Sequence, residues 1–147
     1  MGGIEERLRK YRLIGLDTMC FIYHFEENEE FFPCTRVLFE LIEQGEILAV
    51  TSMITLIEVL TGAKKAKRED LIERYRYDLL YFPHLKVSFI DSAVADIASD
   101  LRVRYRIRTP DAIQIAAAIN ERANIFISND ESLKKIEEIK VLGIKEM

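Results

Sequence analysis

The sequence predicts an α/β fold, with a central, mainly parallel sheet covered by helices on both faces. Three observations predict it. Short runs at residues 11–16, 47–50, 86–90 and 124–127 are apolar almost throughout, as in strands buried on both faces rather than on one. Between them lie longer stretches with apolar residues at helical spacing, the alternation expected of βαβ units. Two acids, Asp17 and Asp130, closely follow such runs, which puts them on the edge where a parallel sheet gathers its strand carboxyl ends. With 147 residues, 49% hydrophobic and 31% charged, the chain is sized for one domain, residues 1–147 with a core over about 11–142.

Residues 1–10 read as a polar lead-in. Tyr11-Arg12-Leu13-Ile14-Gly15-Leu16 is the first strand. Asp17 is either its functional end or the N-cap of the helical segment over 19–25. Glu26, Glu27, Glu29 and Glu30 make an acidic, solvated loop. Pro33 opens a helix with Val37, Leu38, Leu41 and Ile42 as its buried stripe, and Gly45 ends it. The second strand, Ile47-Leu48-Ala49-Val50, passes through the capping candidates Thr51 and Ser52 into a helix over 53–62. Glu58 is the only charge in that run, which places it at a narrow exposed edge or beside a cation. Lys64, Lys65, Lys67 and Arg68 form a basic turn.

A helix over 69–81 ends before Pro83, and Lys86-Val87-Ser88-Phe89-Ile90 is the third strand. Asp91 caps a helix built on Val94, Ile97, Ala98, Leu101 and Tyr105. Thr109 and Pro110 read as N-cap and first residue of the next helix. Behind them Ala112, Ile115, Ala116 and Ile119 recur at helical spacing, a face small enough for close packing. Asp111 sits in the first turn beside that face, where the helix dipole alone favours an acid. The fourth strand, Asn124-Ile125-Phe126-Ile127, ends in Ser128-Asn129-Asp130-Glu131, with Ser128 and Glu131 at capping-box spacing. Lys140-Val141-Leu142 reads as a short edge strand before a polar tail.

Asp17, Glu58, Asp111 and Asp130 thus come to one sheet edge. Crowded carboxylates repel one another and call for a cation. An oxygen-only donor set, without a Cys or His cluster, points to Mg²⁺ or Mn²⁺. Such ions, with room for a phosphate, are the apparatus of phosphodiester hydrolysis. Arg102, Arg104, Arg106 and Arg108 lead up to Asp111. Some of them suit the negative end of a helix, and their number makes them candidates for phosphate contact.

Other classes are excluded. A net charge of −4 does not suit a general nucleic-acid coat protein, although it allows an acidic centre with a basic rim. Cys20 and Cys34 make no CxxC pair and read as free thiols. His24 and His84 belong to no Ser/His/Asp set, and no phosphate-binding glycine loop occurs. No apolar run spans a membrane and the charged start is unlike a signal peptide, so a cytoplasmic protein is expected.

Leu16-Asp17-Thr18, then Thr55-Leu56-Ile57-Glu58-Val59-Leu60-Thr61-Gly62, then Arg108-Thr109-Pro110-Asp111-Ala112, then Ser128-Asn129-Asp130 resemble the four ordered motifs of the PIN-domain ribonucleases. Among these the chain is most similar to the VapC-type toxins of toxin–antitoxin pairs, over nearly its whole length. The resemblance implies a three-layer α/β/α sandwich and Mg²⁺- or Mn²⁺-dependent endonucleolytic cleavage of RNA. It makes Asp17, Glu58, Asp111 and Asp130 the metal-binding acids, and Thr18 and Ser128 the hydroxyls that orient ligands or water. Met19 stands where the family commonly carries a small polar residue. The resemblance also implies a homodimer and a small antitoxin whose tail covers the active site. Arg102, Arg104, Arg106 and Arg108 become candidates for RNA-backbone contact. The alternatives are a PIN nuclease of RNA processing without an antitoxin, and a catalytically silent PIN-like interaction module. A phosphatase is disfavoured, because Met19 occupies the place of its second aspartate.

Overall fold

The chain alternates strand and helix, and the strands lie in sheet order β3-β2-β1-β4-β5, all paired in parallel. A computed structural model describes residues 3–147. The elements are α1 (Ile4–Leu8), β1 (Leu13–Leu16), α2 (Thr18–Phe25), α3 (Phe32–Glu43), β2 (Leu48–Ser52), α4 (Met53–Lys65) and α5 (Glu69–Leu80). There follow β3 (Leu85–Ser88), α6 (Ser92–Tyr105), α7 (Thr109–Asn120), β4 (Ile125–Ile127) and β5 (Lys140–Leu142). Short 3₁₀ turns cover Glu131–Lys135 and Ile144–Glu146.

The central strands β1 and β4 are apolar throughout because each has a core on both sides. Ile14, Leu16, Ala49, Ile125 and Ile127 pack with α1 to α5, on residues such as Leu8, Phe21, Leu38, Phe39 and Leu79. Val50, Phe126 and Val141 pack on the other face with α6 and α7, on Val94, Leu101, Ile115 and Ala116. Each fully buried Leu, Ile or Phe contributes about 1.5–3 kcal/mol of hydrophobic stabilisation. Gly15 faces α7. A Cβ there would lie 2.6 Å from the Ala118 Cβ and 2.9 Å from Phe126 Cδ1. The bare backbone of β1 and the alanine face of α7 therefore bring the helix carrying Asp111 close to the strand carrying Asp17.

Several local expectations shift. Met1 and Gly2 lie outside the described residues, but Ile4–Leu8 is a helix, with Leu8 buried, rather than a lead-in. β2 runs on through Thr51 and Ser52, because Thr51 donates to Leu16 O while Ser52 still caps α4 by accepting from Ile54 N. β3 stops at Ser88, where its partner β2 ends at Ser52, leaving Phe89 73% exposed. α7 begins at Thr109 itself. Arg108 holds the N-cap position and no side chain caps the helix. The turn over Glu131–Lys135 is capped by Asp130, not by Ser128. The tail is not polar throughout: Ile144 and Met147 are buried, and Arg7 Nε donates to Met147 O at 2.6 Å. Tyr77 and Tyr81, at the end of α5, are exposed. Among the described residues no helix is long and apolar enough to cross a membrane.

Candidate active site

β1 and β4 are neighbours, yet the chain leaves β1 toward β2 on one side and returns to β4 on the other. Ligands bind outside the strand carboxyl ends at such a switch point. A cleft of about 350 Å³ lies there, lined by Asp17, Thr18, Glu58, Arg108, Asp111, Ser128 and Asp130 among others. The six residues that the motifs single out therefore converge, from β1–α2, α4, α7 and the segment after β4.

Asp17 is the best-held acid. Its Oδ1 accepts from Thr18 N at 2.8 Å and its Oδ2 from Ser128 Oγ at 2.6 Å. The first bond is the N-cap of α2, so the capping and site readings of Asp17 coincide. Burial pushes its carboxyl above the usual range. The bonds from Ser128 and Thr18 pull it back, and the charges of Asp111 and Glu58 push it up again. Ser128 also accepts from Asp130 N at 3.1 Å, so it ties Asp17 to Asp130 instead of closing a capping box.

The other acids are looser. Glu58 is exposed and accepts from Thr18 Oγ1 at 2.7 Å, so it stands at an exposed edge of α4. Asp111, with a side chain 17% exposed, accepts from Arg108 Nε at 3.1 Å. Asp130 is exposed and uses Oδ1 as a cap, accepting from Ser132 N at 3.0 Å and Ser132 Oγ at 2.7 Å.

A family model for the PIN domain matches residues 14–139. The chain belongs to the PIN domain family. Its five-stranded parallel sheet with flanking helices is the PIN-like fold, and membership supports nuclease activity in general terms. Solved structures agree on the fold. VapBC2 from Rickettsia felis, bound to a promoter DNA fragment, superposes with a TM-score of 0.72 at 19% identity, covering 89% of this chain and 98% of that one. A toxin–antitoxin complex from Klebsiella pneumoniae gives 0.68 at 26% identity, covering 92% and 99%. FitAcB from Neisseria gonorrhoeae gives 0.67 at 18% identity, covering 92% and 99%. Comparison with curated proteins returned no match.

The donor chemistry of the PIN cleft suits a hard divalent ion, since its anionic side chains are all carboxylates and no Cys or His lines it. Among the described residues, no three His, Cys, Asp or Glu side chains are close enough to share one ion as they stand. Asp17, with both oxygens held by hydrogen bonds, is the most fixed of the four acids.

Of the four arginines only Arg108 lines the cleft. Arg102 Nε donates to Ile107 O at 3.3 Å, closing the segment beyond α6. Arg104 pairs with Glu137 at 2.7 Å and Glu138 at 3.3 Å. Arg106 is the left-handed C-cap of α6, at φ 56°.

Reading the sequence missed the residues under the cleft. Gln114, Thr51, Ser52 and Thr55 are buried and hydrogen-bonded to one another and to Thr18. Gln114 leaves one signal, as the only polar residue within the buried face of α7, one turn after Asp111.

Proposed function

We propose that this PIN-domain protein is a Mg²⁺- or Mn²⁺-dependent endoribonuclease, the toxin of a VapBC-type pair. It acts as a homodimer in the cytoplasm and is restrained by a small antitoxin. The observation that carries the reading is the meeting of Asp17, Glu58, Asp111 and Asp130, from four separate parts of the fold, around one cleft at the sheet's switch point.

These four acids are the groups that would hold the ion, and Asp17 is the one preset to do so. A divalent ion held by these acids would supply a water of lowered pKa and charge stabilisation for the attacking and leaving oxygens of a phosphodiester. The chain's own groups do the positioning. Ser128 and Thr18 N fix the two Asp17 oxygens, and the Thr18 hydroxyl steadies Glu58. An acidic cleft by itself repels a polyanion. Arg108, 77% exposed at the rim, is placed to exchange Asp111 for an RNA phosphate. The same negative charge suits a basic inhibitor tail. The similar structure from Klebsiella pneumoniae, a toxin–antitoxin complex, supports a partner of that kind.

The test is cleavage of a structured RNA mixture by purified protein with Mg²⁺, with Mn²⁺ and with chelator, beside Asp111→Asn. Discrete fragments that need metal and vanish in the variant are expected. Equal cleavage by the variant would remove the acids from the mechanism. Cleavage without toxicity on expression would favour an RNA-processing nuclease.

A further inference from the structure

We infer that Gln114 is a positioning residue for this cleft: its side-chain amide fixes which way the Thr18 hydroxyl points and so aims it at Glu58. The inference rests on the nuclease reading for its consequence in catalysis, but not for its geometry.

The argument comes from counting protons. Gln114 is 3% exposed. Its Nε2 lies 2.9 Å from Thr18 Oγ1 and 2.8 Å from Thr55 Oγ1, and its Oε1 lies 2.6 Å from Ser52 Oγ. Thr51 Oγ1 lies 2.9 Å from Leu16 O, a carbonyl that can only accept, so the Thr51 proton goes there. Thr55 must then donate across its 2.7 Å contact to Thr51. Thr18 must donate across its 2.7 Å contact to the Glu58 carboxylate. With both threonine protons committed, Thr18 and Thr55 can only accept from Gln114. The 3.1 Å approach of their oxygens carries no proton and is tolerated because both accept from one amino group.

Flipping the amide fails this count. Oε1 would then claim the Thr18 and Thr55 protons, leaving the contacts to Glu58 and Thr51 without any. The order is therefore one-way, from Ser52 to Gln114 to Thr18 to Glu58. It joins β2, α7, α2 and α4, all of which supply the cleft or its base. Threonine in a helix ordinarily divides between two χ1 rotamers, so an external hold on the hydroxyl has something to select.

The experiment uses the full chain and the variants Gln114→Met and Gln114→Glu, with Thr35→Val as a structural control. Thr35 is a buried threonine of α3 outside this network, its hydroxyl donating to Phe32 O at 3.3 Å. Three quantities are read: Thr18 χ1 from three-bond NMR couplings, kcat and KM for RNA cleavage, and Tm. Expected are one Thr18 rotamer in the parent chain, averaging in Gln114→Met, and a kcat lower by about tenfold with KM unchanged. Thr35→Val, whatever its effect on Tm, keeps the rotamer and kcat. Adding Gln114→Met to Thr18→Ala costs no further kcat, because Gln114 acts through Thr18. Should Gln114→Met fail to fold, Gln114→Glu carries the test: it keeps the volume and the Ser52 bond but has at most one proton for two threonines. A single Thr18 rotamer in the Gln114 variants, with kcat within about twofold of the parent, would overturn the inference. A parent chain that cleaves no RNA would instead overturn the nuclease reading, while the couplings still decide the positioning.

Discussion

Beneath the cleft, Thr51, Ser52, Thr55 and Gln114 are between 0% and 3% exposed, and each is held by two or more hydrogen bonds. Around its mouth, Glu58, Arg108 and Asp130 are exposed. The floor is expensive to disturb. A buried group that loses its partner costs about 1–3 kcal/mol, and the members share protons in a fixed order. The rim is cheap to rearrange, because an exposed ion pair such as Arg108–Asp111 contributes about 0–1 kcal/mol. On the proposed function, a site that admits a polyanion and a cation needs both: a base that does not move and charges that can. The same division separates this cleft from a larger one of about 610 Å³ between α2, α3 and α5. That space is lined by His24, Phe32, Tyr77 and Tyr81, and its acids, Glu27, Glu43 and Asp78, lie on or beside helices rather than at the sheet's switch point, with Asp78 paired to Arg74. Among the described residues, its His24 Nδ1 is the one buried side-chain nitrogen or oxygen without a hydrogen-bond partner.

The comparison can be broken most strongly at Asp17, the acid that belongs to both levels. Asp17→Asn should lower metal-dependent RNA cleavage by more than about a hundredfold, read in initial rates. It should also raise Tm at pH 7 by a few degrees. Burial raises the Asp17 carboxyl, so the folded state prefers the proton. The stability from that preference is fully present at acid pH and is lost as pH rises through the raised value. An ionised Asp17 therefore weakens the fold at neutrality. The gain from asparagine should vanish below about pH 4, which melts across a pH series would check.

Gly15→Ala tests the close packing from below, and should destabilise by about 1–3 kcal/mol in denaturant titration. The Ala118 Cβ cannot step aside without moving α7. Arg108→Gln sharpens the account of the rim. RNA binding should weaken and its salt dependence should flatten by about one ion, with stability within about 0.5 kcal/mol of the parent. Arg104→Gln, by contrast, should leave RNA binding unchanged, because that side chain is engaged by Glu137 and Glu138. Equal losses from both arginines would erase the distinction between them.

Much of the upper level was legible in the sequence. An apolar run followed by an acid marks Asp17 and Asp130, and a lone charge in an apolar helix marks Glu58. Those are local signals, and the sheet topology converts them into one place. What was not legible depends on partners far along the chain. Gln114 meets Ser52 and Thr18, which are 62 and 96 residues away. Arg104 is distinguished from Arg108 only by glutamates 33 and 34 positions later. The helix over Ile4–Leu8 escaped because two apolar positions, Ile4 and Leu8, are too few to display a period. The ends of α7 and β3 moved by one or two residues, as ends do when neighbouring backbone decides them.

The sheet order has a consequence for the chain while it is being made. β1 lies between β2 and β4, so its second neighbour arrives only after most of the sequence has been synthesised. When β3 has just been synthesised, Asp17 and Glu58 exist but Asp111, Asp130 and the Ser128 that grips Asp17 do not. A nascent chain at that length therefore has half of the four acids and no β4 beside β1. The cleft is complete only once β4 and the segment after it are in place.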